Sequence, residues 1–352
     1  MSKEKYVAYV GTYTYENSIG IHLYDLDVEQ GTMKERKVIP INNASYLVVS
    51  HSGKYLYSIA DEGVQSFRIL PDGDLEKINH QWTGGMRGCF VDISKDDRYL
   101  MVGGYHDGRV ALMNLNPEDG SIMGIADGVF HKGMGRCIAE RSSRPHVNCV
   151  RLTPDQKYLC AVDGGLDHVK LYHVNWETGK MRNTDILHCQ IDSAPKSMRF
   201  SDDGRFAYVL CELRNCVNVY SYEERDGEPE FEFLQEITTT DPHDDDICSA
   251  TAMTIAPDGR HLYVANAGVN SAVIYDIDPE TGLLTLNCNS RISGEFPKSI
   301  RVFPDNRHFI VLNHENNEIC TFKVNYEDNY FLMDSKPIQV DKPNCVALHK
   351  LI

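Results

Sequence analysis

Short runs of alternating apolar and polar residues, each broken by turn residues, recur along the whole chain. The run Ala256–Asn266, APDGRHLYVAN, reads as the end of one strand, a tight Pro-Asp-Gly turn and a second strand with Leu262 and Val264 on one face. Related runs are SHSGKYLYSIA near Ser50, SKDDRYLMVGG from Ser94, TPDQKYLCAVD from Thr153, SDDGRFAYVLC from Ser201 and FPDNRHFIVLN from Phe303. Their turn positions, Gly53, Asp97, Gln156, Gly204, Gly259 and Asn306, lie about 44 to 59 residues apart. A spacing in that range signals a repeat architecture.

Each repeat has the same order of parts. An apolar first strand such as Tyr46–Val49 precedes the turn, and a second strand follows it. A third strand comes next: IHLYDLD from Ile21, VKLYHVN from Val169, VNVYSYE from Val217, AVIYDID from Ala272. Then a Gly-bearing turn (EQGT at Glu29, ETGK at Glu177) leads to a more polar fourth strand, such as Phe233–Thr239. Such a meander cannot bury both faces alone, so several must pack around an axis. Six complete units are present. A seventh is split between the opening run YVAYVGTYT from Tyr6 and the closing run NCVALHKLI from Asn344. The expectation is an all-β, seven-bladed β-propeller of four-stranded antiparallel blades, its ring closed by pairing of the N- and C-terminal strands. It would span residues 1–352 as one domain. No sustained helical period interrupts this pattern.

Composition narrows the partners. A formal net charge of -16 argues against nonspecific binding of nucleic acid or an anionic membrane. No apolar run approaches membrane-spanning length, and Met1–Lys5 leads straight into a strand, so the expected location is cytoplasmic. The oligomeric expectation is a monomer or weak homo-oligomer. Of eleven cysteines, Cys149, Cys160, Cys211 and Cys320 sit among apolar strand residues and read as small buried hydrophobes. No Cys-x-x-Cys pair suggests structural zinc. Neither a metal nor a cofactor is expected.

Two connections break the rhythm. Gly128–Pro145 is basic, with His131, Lys132, Arg136, Arg141 and Arg144; Thr238–Ser249 is acidic, with Asp244, Asp245 and Asp246. Long loops within a compact fold are often functional. Three consecutive aspartates cannot all face one ion, so that run reads as a solvated loop rather than a cation site. Both connections enter first strands, which line the central channel, so both belong at the face opposite the Pro-Asp-Gly turns. The residues expected at that mouth are Arg87, Pro145-His146, Pro195-Lys196 and Pro297-Lys298. From the second-strand ends come Tyr105-His106, Asp163, Glu212, Asn266 and Asn313-His314.

Arg87, Lys196 and Lys298 read as occupying equivalent places in three blades, a cluster that would attract an anionic small molecule. His146, fixed after Pro145, suits a general acid or base, with Glu212 as the nearest carboxylate. The plain alternatives are a structural loop histidine and a rim ion pair of Glu212 with Arg214.

The ordered set of motifs resembles the lactonase family of seven-bladed propellers, which includes propeller-type 6-phosphogluconolactonases and carboxy-muconate lactonising enzymes. The resemblance rests on VGTYT at Val10, ASYLVVS at Ala44, the PH at Pro145, PKSMRFSDDGRFAYVLCEL from Pro195, APDGRHLYVAN, and PNCVALHKL from Pro343. It implies a site of His, Glu and Arg at the channel mouth, with His146 and Glu212 matching the family's His and Glu. Lys196 and Ala267 stand where the family usually has Arg, and Asn148 and Phe90 where it usually has His. The implied function is hydrolysis of a small anionic, sugar-derived lactone such as 6-phosphogluconolactone. His146, Glu212 and Lys196 would be catalytic; Arg87, Arg136, Arg141, Arg144, Lys298 and His314 would bind substrate. The alternatives are a muconate-type cycloisomerase and a non-catalytic propeller that binds a ligand or protein.

Overall fold

The structure is a computed structural model and describes residues 4–135, 143–241 and 247–351. Seven antiparallel sheets surround a central channel. Blade 1 combines Pro343–Lys350 with Tyr6–Thr12, Gly20–Asp27 and Thr32–Pro40. The inner strands of blades 2 to 7 are Leu47–Val49, Phe90–Ile93, Val147–Leu152, Pro195–Phe200, Ser249–Ile255 and Pro297–Val302. From each of them the chain steps outward through three more strands; the extra pair Ile338–Gln339 lies on the third strand of blade 7. No α-helix occurs among the described residues, and therefore none long and apolar enough to cross a membrane.

The ring closes as the sequence pattern predicts. Tyr6 pairs with Lys350, Ala8 with Leu348 and Gly11 with Cys345, so the two chain ends form neighbouring strands and leave no open seam. All six turn positions adopt left-handed backbone, from φ 57° at Asp97 and Asn306 to φ 77° at Gly204. Gly and Asn bear this conformation at little cost, whereas Gln156, at φ 62°, takes it against its side-chain preference.

The second strands depart from a one-sided alternation. Tyr55–Ala60, Tyr99–Gly104, Tyr158–Asp163, Phe206–Cys211 and His308–Asn313 are buried along their whole length. Neighbouring blades cover both faces of these strands, so both sets of side chains are mostly apolar or small, with His308, Asp163 and Asn313 as buried exceptions at strand ends. Alternation survives in the outer strands, such as Glu228–Thr238, where one face meets water. Cys149, Cys160, Cys211 and Cys320 are buried free thiols, as expected. Between blades 6 and 7 the ring of Phe309, fully buried, meets Tyr263 at 5.2 Å and Phe322 at 5.1 Å. Phe309→Ala should cost about 3–5 kcal/mol, read as a lowered urea midpoint with an unchanged slope.

Candidate functional site

The inner strands build the mouth through a repeated irregularity. Pairing with the second strand skips one residue near the inner strand's start in five blades: Asn148, Lys196, Thr251, Lys298 and Asn344. A regular strand would face alternate residues to the channel, such as Ser197 and Arg199. The bulge adds the preceding residue, so Lys196 and Ser197 both line the cavity, as do Lys298 and Ser299. In blade 3 the matching position is Cys89, since Phe90 pairs with Gly103 as Ser197 pairs with Leu210. Arg87 lies two residues earlier and reaches the mouth from the loop, so its equivalence with Lys196 and Lys298 does not hold.

The resulting cavity holds about 380 Å³. Arg87, His106, Lys196, Glu212 and Lys298 all line it, with Tyr13 and Phe296 as apolar walls. Lys196 Nζ donates to Glu212 Oε2 at 3.0 Å. Arg87 and Lys298 lie 5.3 Å and 5.5 Å from the Tyr13 ring centre, each in cation–π contact with it. Three predicted site residues stand off this wall. His146 is 1% exposed; its ring stacks on Tyr105 at 4.2 Å and its Nδ1 lies 2.7 Å from the Tyr105 carbonyl oxygen. His314 is buried against Pro343 and Tyr13. Arg144 is exposed beyond the wall. Arg136 and Arg141 lie outside the described residues, as do Asp244, Asp245 and Asp246.

Four second-strand ends fall into two groups. Asp163, Asn266 and Asn313 are fully buried and tie down loop backbone instead of facing the mouth: Asp163 Oδ1 accepts the amides of His146 and Gly165, and Asn266 Nδ2 donates to the Thr239 carbonyl. Glu212 lies one residue beyond its strand and turns into the cavity. Arg214, the rim partner of the alternative reading, pairs with Glu236 at 3.4 Å.

Sequence reasoning gave no role to His106, Arg199 or Arg301, which also line the cavity. His106 was legible as a mouth residue, but nothing distinguished it from its neighbours. Burial and the positive charges of Arg87 and Arg144 lower its pKa, so the imidazole is neutral at pH 7. Arg199 and Arg301 form the floor. The Arg that recurs before three of the turns, in CVRL, SMRF and SIRV, was their signal. Phe90, where the resemblance implies a His, packs tilted against Tyr46 with ring centres 4.2 Å apart, and both rings line the cavity.

Among the described residues, one group could bring three ligating side chains to a metal: His131, Asp163 and His168, all buried and outside the cavity wall. His131 Nδ1 is 2.6 Å from Asp163 Oδ2, which anchors the start of the basic connection to blade 4. Burial pushes the pKa of His168 down to about 4 from its ordinary 6.5. Between those values the unfolded chain holds a proton that the fold excludes. Stability present above pH 6.5 should therefore fall as the pH drops towards 4, by on the order of 3 kcal/mol from this residue. His168→Gln should flatten that part of a curve of thermal midpoint against pH.

A cavity lined by Arg87, Lys196 and Lys298 thus lies at one mouth of a seven-bladed propeller. The chain belongs to the lactonase family: the family model described as "Lactonase, 7-bladed beta-propeller" matches residues 7–348. A 6-phosphogluconolactonase of Bacillus subtilis is 28% identical, over 99% of both chains. A Staphylococcus epidermidis protein is 31% identical over 89% of this chain and 88% of its own. The structure of a periplasmic gluconolactonase of Pseudomonas aeruginosa superposes with a TM-score of 0.91, at 26% identity, over 99% of this chain and 100% of that one. By class, then, the protein is a propeller-type lactone hydrolase.

Proposed function

We propose that the chain opens a small anionic, sugar-derived lactone such as 6-phosphogluconolactone by metal-independent addition of water at the ring carbonyl. His106 takes the proton from water and returns it to the leaving alkoxide, a two-way transfer suited to an imidazole that is neutral before reaction. His146 stands behind it. Its Nδ1–H donates to the Tyr105 carbonyl, which fixes the Tyr105–His106 segment against blade 4. Lys196, held at 3.0 Å by Glu212, stabilises the oxyanion that forms as water adds. Lys298 and Arg87 hold the substrate's anionic group, with Arg199 and Arg301 below.

The observation that carries this reading is the convergence of Lys196, Lys298, Arg87 and a neutral His106 on one cavity in a protein of net charge -16. Rates of lactone opening, corrected for spontaneous hydrolysis, test it. Preference for 6-phosphogluconolactone over neutral gluconolactone is expected. Activity on the neutral lactone alone would discard the anion grip, and no activity on either would favour a binding propeller.

A further inference from the structure

Below Tyr46 and Phe90 the channel continues as a second chamber of about 660 Å³, open at the face of the Pro-Asp-Gly turns. Arg151, Arg199 and Arg301 occupy the same place in the inner strands of blades 4, 5 and 7, one residue before the strand ends, and all three line this chamber. Their protein partners do not balance them. Arg151 pairs with Asp92 at 3.0 Å. Arg301 donates to the Thr254 hydroxyl at 3.4 Å. Arg199 Nη1 and Arg151 Nε are buried with no hydrogen-bond partner. The chamber wall carries Lys95 and the three arginines against Asp92 and Asp202, two more positive than negative groups. Burial, with the neighbouring guanidiniums of Arg199 and Arg151, lowers the pKa of Arg301 despite the opposing influence of Tyr46.

Like charges drawn together on a half-buried wall repel one another unless an anion sits among them. Guanidinium groups grip planar-faced oxyanions through paired N–H donors, which an ammonium cannot do. We propose that the lower chamber is a second binding site, for a phosphate-class oxyanion held between Arg151, Arg199 and Arg301. It is distinct from the upper cavity because Arg151 lines the lower chamber and not the upper one. Arg199 and Arg301 border both, so an oxyanion below reduces the positive potential available to an anionic lactone above. That consequence rests on the lactonase reading; the binding site itself does not.

The test is calorimetric titration of the full chain with inorganic phosphate in chloride-matched buffer, beside the shift in thermal midpoint. Saturable binding is expected. Arg151→Gln should weaken it about tenfold or more, the scale of losing charge-assisted hydrogen bonds, while Lys298→Ala, in the upper cavity only, should leave it nearly unchanged. If Arg151→Gln alone does not fold, Asp92→Asn with Arg151→Gln removes both members of the ion pair and reports the same loss. The absence of heat and of any midpoint shift up to tens of millimolar phosphate would overturn the site. So would binding that survives Arg151→Gln but disappears in Lys298→Ala, since the ion would then occupy the upper cavity. Lactonase rates enter none of these outcomes.

Discussion

A His106→Ala enzyme should turn over 6-phosphogluconolactone about 10²–10⁴-fold more slowly than the parent, the range expected for loss of a positioned general base. The loss should fall on kcat, because the cations that hold the substrate remain. The pH profile supplies a readout that a packing defect would not move. In the parent, kcat/KM should fall on the acid side as His106 gains its proton. That limb should lie below the ordinary imidazole range, since burial and then Arg87 and Arg144 disfavour the imidazolium. Removing the Arg87 charge relieves part of that repulsion, so Arg87→Gln should move the limb to higher pH while raising KM. His146→Ala should slow the enzyme less than His106→Ala and keep the acid limb, because His146 is 1% exposed and off the cavity wall. If His146→Ala gives the greater loss and abolishes the limb, the base is His146, and burial in the unliganded state is no guide to its reach.

Lys196→Ala should reduce kcat by about 10²–10³-fold, the cost of removing a donor aimed at a developing oxyanion. The truncation also leaves Glu212 buried and without its 3.0 Å ammonium partner, so a charge-retaining control is needed. Lys196→Arg restores charge with a different shape and should recover much of the rate if electrostatics dominates; the family's usual Arg at this position makes it the natural exchange. Lys298→Ala should act mainly on KM for the phosphorylated lactone and little on the neutral one. Full activity in Lys196→Ala, measured on protein with a normal thermal midpoint, would remove this residue from the chemistry.

The fold was legible because it rests on local rules repeated many times. Turn residues that tolerate left-handed backbone, apolar runs of strand length and a polar fourth strand recur at a regular spacing. The two incomplete ends, YVAYVGTYT and NCVALHKLI, can only complete one another. The cations at Arg87, Lys196 and Lys298 and the carboxylate of Glu212 were also found this way, since strand order assigns each to the mouth. What pattern could not supply was the direction of individual side chains. A bulge turns Lys196 and Lys298 inward beside Ser197 and Ser299, and depends on how the inner strand pairs with the next, not on residue type. His146 looked like the mouth histidine, yet its amide is drawn to Asp163 and its ring beneath Tyr105, so His106 takes the cavity wall. Arg151, Arg199 and Arg301 were visible as a recurring letter before the turns, but their convergence exists only once three blades stand around one axis. Local turn and strand chemistry therefore determined the ring and the composition of its mouth. Long-range packing decided which side chains meet, because contacts across the channel join residues on different blades.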